Sequence, residues 1–201
     1  MKNALNASVL IFSLAAGSAA LEIAGTVPAD VKGAPKGDFI LSGLVVKNVA
    51  YEKGAVIMPV TENKGRTYAD VKLLSKGLYG KIEACFKNGC AQPAAAKSPA
   101  KAGDKPEAKG KALAEEVKQA AKAAAVTIKV EEFKPLKSKV RVANAEVSFD
   151  GELTASLGVM VSAKEPGAIW IAFPDPLEFK DGSLKAKVEE TVKAAWAKNK
   201  K

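Results

Sequence analysis

Eight basic side chains carry most of the chemistry this sequence offers. Lys64, Arg66, Lys72, Lys76 and Lys81 follow one another in the first half, and Lys180, Lys185 and Lys187 stand in the matching stretch of the second. Ammonium and guanidinium groups neutralise phosphates, and that contact supplies most non-specific affinity for nucleic acid. DNA or RNA is the expected ligand of such a surface. The net charge of +9 on 201 residues divides as 11 basic against 7 acidic in residues 1–90, 5 against 2 in residues 91–111, and 15 against 13 in residues 112–201. The last excess rests on Lys193, Lys198, Lys200 and Lys201 at the tail, so the body of the second half is slightly acidic. A nucleic-acid groove usually concentrates its charge more than this, and the same lysines suit a solvated, solubilising face equally well.

Catalytic patterns are hard to assemble here. The chain holds 0 His, which removes the commonest general base, the Ser/His/Asp and Cys/His arrangements and most zinc sites. Glu131-Glu132 and Glu189-Glu190 are sequence neighbours, and neighbours on a strand or helix point apart rather than forming an acid/base pair. Gly77-Leu-Tyr-Gly80 lacks the Lys-Ser/Thr of a phosphate loop. We therefore expect no enzyme and no cofactor. Cys85 and Cys90 stand close together: a disulfide across so short a span would staple little, and a metal would need ligands the chain lacks. Two free thiols of an intracellular protein are expected.

The elements that position these residues occur twice. Gly54-Ala-Val-Ile-Met-Pro59 returns as Gly167-Ala-Ile-Trp-Ile-Ala-Phe-Pro174. A short apolar run entered through Gly and closed by Pro reads as a buried strand, because Pro cannot carry the ladder onward. Each run is followed by a polar stretch with an aromatic residue, Tyr68 or Phe179, and then by a helix-period segment ending in Phe86 or Trp196. Backwards from Pro174 run strand patterns at Val126–Phe133, Lys139–Phe149 and Leu153–Val161, with Asp150-Gly151 as a hairpin signal. Backwards from Pro59 run Ser8–Leu14, Ala20–Ala24 and Phe39–Val49. Matching Val9 to Val126 aligns the two units from end to end.

The helices follow from apolar spacing. Leu184, Val188, Val192 and Trp196 recur every four residues behind Ser183 as a cap, and Leu78, Ile82 and Phe86 keep the same spacing. Gly77 and Gly80 each cost about 1 kcal/mol relative to Ala inside a helix, so the first helix should start late or fray. Residues 91–111, nearly all Ala, Lys, Pro and Gly, read as a solvated linker, and residues 112–125 as a helix with a thin apolar stripe. The N-terminus carries two readings. Residues 1–20 fit a secretory signal peptide cleaved near Leu21, yet a single Lys, the polar Asn3, Asn6, Ser8 and Ser13, and the loss of a strand favour the first strand of a folded unit. No other stretch approaches the roughly 20 apolar residues of a membrane span.

This order of elements resembles the SpoVG (stage V sporulation protein G) family, the small bacterial septation regulators. The likeness lies in the Gly-led strand closed by Pro59, then Lys64-Gly-Arg-Thr-Tyr68-Ala-Asp70-Val71, then a helix containing Lys81-Ile82, and it extends over residues 5–88 and 126–198. The resemblance implies α+β units that pair through strands into dimers and bind nucleic acid as regulators. Two copies of a small antiparallel-sheet unit with a C-terminal helix would then form an intramolecular pseudo-dimer. Departures exist: the basic residues expected after the proline are replaced by Val60-Thr61-Glu62 and Asp175-Pro176-Leu177. The expected function is a cytoplasmic nucleic-acid-binding regulator; the alternative is a structural or protein-interaction module, exported and without nucleic-acid binding.

Overall fold

The computed structural model describes residues 20–63, 65–90, 126–163, 165 and 167–199. The strand expected at 8–14, the linker 91–111 and the helix 112–125 lie outside the described residues. The architecture is α+β, with antiparallel sheets and a helix closing each half. The first half runs β1 (Ile23–Val27), β2 (Lys36–Leu41), β3 (Leu44–Glu52), β4 (Ala55–Ile57), β5 (Thr61–Asn63), β6 (Arg66–Tyr68), β7 (Val71–Leu73) and α1 (Lys76–Asn88). The second runs β8 (Ile128–Pro135), β9 (Arg141–Phe149), β10 (Leu153–Val161), β11 (Ile169–Ala172), β12 (Leu177–Phe179) and α2 (Gly182–Asn199).

Two five-stranded sheets share one plan. In the first, β1, β2 and β3 lie side by side, and the far edge of β3 is divided between β12, on Leu44 to Val46, and β4, on Ala50 to Glu52. In the second, β8, β9 and β10 lie side by side, and the far edge of β10 is divided between β7, on Leu153 to Ala155, and β11, on Gly158 to Val161. Each sheet thus holds a short strand from the other half of the chain. β5 and β6 pair only with each other, as a ribbon between β4 and β7.

Turn chemistry explains one difference from the pattern-based reading. Asp150-Gly151 adopts positive φ at both positions (48° and 68°), which suits the right-handed twist of the flanking strands. Ser42-Gly43 does the same, at 47° and 92°. The single strand expected over Phe39–Val49 is therefore a hairpin of β2 and β3, hidden because Ser-Gly carries a weaker signal than Asp-Gly. In consequence β1 takes in its sheet the place β8 takes in the other, and the match of Val9 to Val126 does not hold. The described first sheet is complete without residues 8–14.

Strand alternation sets the core. Odd-numbered residues of β9 and β10, from Ala143 to Phe149 and from Leu153 to Val159, are buried. α1 buries Leu78, Ile82 and Phe86, with Phe86 against the rings of Phe39 and Tyr51. α2 buries Leu184, Val188 and Val192 and sets Trp196 edge-on to Phe133. Each such apolar side chain contributes about 1.5–3 kcal/mol of burial. The proline-closed strands are less buried than expected: Ala55 and Ile57 of β4 are exposed, and Trp170 of β11 is 48% exposed. Both are sheet-edge segments, where one side lacks a neighbour.

Both helix starts also differ from expectation. α1 begins at Lys76, ahead of Gly77, because the Ser75 hydroxyl accepts from the amides of Gly77 and Leu78 and offsets the glycine cost. In α2 the capping carboxylate is Asp181, which accepts from the Ser183 amide and hydroxyl. The two expected free thiols are a disulfide between Cys85 and Cys90. Gly89, at φ 88°, turns the chain back past the end of α1 and places the two Cα atoms 4.2 Å apart.

Candidate functional site

The outward face of the second sheet is polar and is the floor of a groove of about 490 Å³, the size of a small-ligand site. Alternation brings Asn144 and Glu146 of β9 to the same face as Thr154 and Ser156 of β10. Arg141 is odd-numbered and would otherwise face the core. A bulge at Val142, between the Val159↔Ala143 and Met160↔Arg141 pairs, shifts it onto the polar face. Gly158 then makes room, since a Cβ there would lie 2.9 Å from Arg141 Nε and 3.1 Å from its Cζ.

The walls come from both halves of the chain. β8 supplies Lys134 opposite Asn144, and β7 supplies Lys72 opposite Thr154. The Asp70 carbonyl accepts from the Ser156 amide at 2.8 Å, which fixes the segment that follows the β5–β6 ribbon. Thr61, Thr67 and Tyr68 of that ribbon complete the rim, with Tyr68 45% exposed.

Glu146 organises the charge. Lys134 Nζ donates to it at 2.9 Å and also lies 3.2 Å from Glu132, while Lys72 Nζ stands 3.9 Å from the other Glu146 oxygen. The hydrogen bond from Lys134 holds the Glu146 carboxyl below the usual glutamate range. Reciprocally, Glu146 and then Glu132 raise the Lys134 ammonium above its ordinary value. Two charges in the groove remain uncompensated: neither Arg141 nor Asp70 forms an ion pair among the described residues. Three polar atoms are sealed from solvent with no hydrogen-bond partner, namely Arg141 Nε, Asn144 Oδ1 and Thr154 Oγ1. Thr154 is only 4% exposed. Buried polar atoms are nearly always partnered, so three orphans in one groove call for an account.

The eight basic residues singled out from sequence do not gather. Lys72 alone lines the groove. Lys64 lies outside the described residues, and Arg66 falls on β6. Lys76 is exposed at the first position of α1, and Lys180 is exposed just past β12. Lys185 lies over the Phe173 ring, 5.4 Å from its centroid. Lys81 and Lys187 are engaged with backbone: each ammonium reaches the carbonyl of a buried residue just ahead of a sheet's first strand, Leu21 at 3.3 Å and Val126 at 3.4 Å. The pattern of basic residues missed Lys134 and Arg141, whose strands read as ordinary alternation. The bulge at Val142 left no sequence signal.

Among the described residues no cluster of three or more acidic or thiol groups is placed to hold a metal, and no helix is long and apolar enough to cross a membrane. The groove offers hydrogen bonds and fixed charge, the means of recognition. No protein-family model, curated protein or solved structure matches this chain.

Proposed function

We propose that the chain is two copies of one SpoVG-like unit folded as an intramolecular pseudo-dimer, and that it works after export as a non-enzymatic binding module with the groove on the second sheet as its site. The reciprocal placement of β7 and β12 supports the pseudo-dimer, since each unit completes the other's sheet at the same place. The matched lysines Lys81 and Lys187, each holding the entry to its own sheet, support the duplication.

The observation that carries export is at Leu21. Its side chain is fully buried, and its amide donates to Glu152 Oε2 at 2.6 Å, a length typical of a charge-assisted bond. Cleavage after Ala20 turns that amide into an ammonium already seated against a carboxylate. The Cys85–Cys90 disulfide belongs with an oxidising compartment, and residues 8–14 are not needed as a strand. Intact-mass measurement on protein from the native host tests this. A chain beginning at Leu21 with two hydrogens fewer than the dithiol is expected; a chain retaining Met1 or Lys2 sinks the export reading.

A cytoplasmic nucleic-acid regulator is the second reading, favoured by Lys72, Lys134 and Arg141 lying in one groove beside Tyr68. It requires salt-sensitive retention of single-stranded or duplex probes, lost when Lys64, Arg66 and Lys72 are changed to Ala. The export reading expects no retention at micromolar protein in low salt.

A further inference from the structure

We infer that the groove on β9 and β10 takes a small zwitterion of the amino-acid kind, the free ends of a short peptide, with one carboxylate and one ammonium. This rests on the groove being a binding site, and it names what the site takes. The cations of the groove are not equivalent. Lys72 and Lys134 share Glu146, and Lys134 has Glu132 as well, so little of their charge is left for a ligand. What remains is one guanidinium, Arg141, and one carboxylate, Asp70. A polyanion would meet one free cation and one free anion; a zwitterion meets a partner for each end.

The orphaned atoms point the same way. Arg141 Nε–H and the Thr154 hydroxyl are donors without acceptors, and together they suit a carboxylate. Asn144 Oδ1 is an acceptor without a donor, and together with the Asp70 carboxylate it suits an ammonium, which brings three N–H groups and accepts nothing. Thr154 and Asn144 stand on adjacent strands of the rigid floor, and Arg141 is held flat by the missing side chain at Gly158. Sites built on strands hold their geometry better than sites on loops. Between these polar groups the Leu136 and Tyr68 side chains offer apolar surface, enough for small side chains of the peptide.

Amide chemical shifts of the full mature protein test this, using four probes: L-trialanine, its N-acetyl form, its C-terminal amide, and adenosine monophosphate. Trialanine is expected to move the amides of Asn144, Thr154 and Ser156, with acetylation and amidation each weakening binding at least tenfold. Arg141→Gln and Gly158→Ala should each weaken trialanine binding by at least tenfold while the remaining amides keep their dispersion. The second variant keeps the guanidinium and only displaces it, so a failure of the first to fold leaves the test intact. Equal binding of the blocked peptides, or tighter binding of adenosine monophosphate, overturns the zwitterion while leaving the groove as a site. Immobility of these amides with all four probes overturns the groove itself.

Discussion

Thr154→Val should make the free protein more stable while impairing its site. Thr154 is 4% exposed, and its Oγ1 is sealed from water without a hydrogen-bond partner. A buried hydroxyl left unsatisfied costs about 1–3 kcal/mol of desolvation. Valine replaces it by a methyl of the same shape, keeps the β-branched side chain suited to a strand, and leaves the pairing with Lys72 and Ser148 untouched. Because the groove above is open, the lower end of that range applies, a gain of about 1 kcal/mol. For a chain of this size that is about 2–4 °C in Tm. Urea unfolding is the assay, with an unchanged slope showing that the gain lies in the folded state. Thr154→Ser supplies the control: it keeps the orphaned hydroxyl, loses a buried methyl, and should fall below the parent. A Tm for the valine variant at or below that of the parent refutes the reasoning, because it means the hydroxyl was satisfied and the polar floor is ordinary sheet surface.

Three further outcomes follow from the same structure. Leu177→Ala removes a side chain that is 3% exposed on the strand lent to the first sheet, at a cost of about 2–5 kcal/mol; hydrogen exchange should quicken at Leu44 to Val46 of β3, and unchanged protection there would contradict the exchange of strands. Glu146 has its pKa depressed below the ordinary 4.5, so its contribution is present above that value and is lost as pH falls through the lower folded value; Glu146→Gln should flatten the loss of stability below pH 4.5, read from urea midpoints between pH 7 and pH 3. Reduction of Cys85–Cys90 releases a loop closed over a separation of 5 residues and should lower the unfolding free energy by at most about 2 kcal/mol, with alkylation seen only after reductant.

The repeated proline-closed strand and the four-residue spacing of Leu184, Val188 and Val192 were legible because burial imposes a period on the chain. Features that depend on a single backbone angle were not. Ser42 takes φ 47° without the Asp or Asn that usually marks such a turn, so one hairpin read as one strand and the whole first unit was matched too far toward the N-terminus. The groove was hidden for a related reason. Arg141 reaches it only through the bulge at Val142, and Lys72 only because β7 joins a sheet whose other strands lie more than fifty residues along the chain. Local patterns carry no record of such a pairing. Charge alone also misleads on Lys81 and Lys187, which serve the backbone of their own halves.

On the proposed duplication, the two halves differ most where the site is. The span between β4 and β7 holds the β5–β6 ribbon and Asp70, whereas the span between β11 and β12 is only Phe173 to Pro176, too short to wall a second groove. The position of Lys72 on β7 is filled on β12 by Glu178, which pairs with Lys47 at the surface of the first sheet. Two identical chains exchanging strands would carry two equal grooves or none, since a twofold axis repeats every change. Joining the copies in one chain removes that constraint. One copy can then lend its ribbon, Asp70 and Lys72 to a floor that the other has altered with Arg141 and Gly158, and a single asymmetric site results from a symmetric frame.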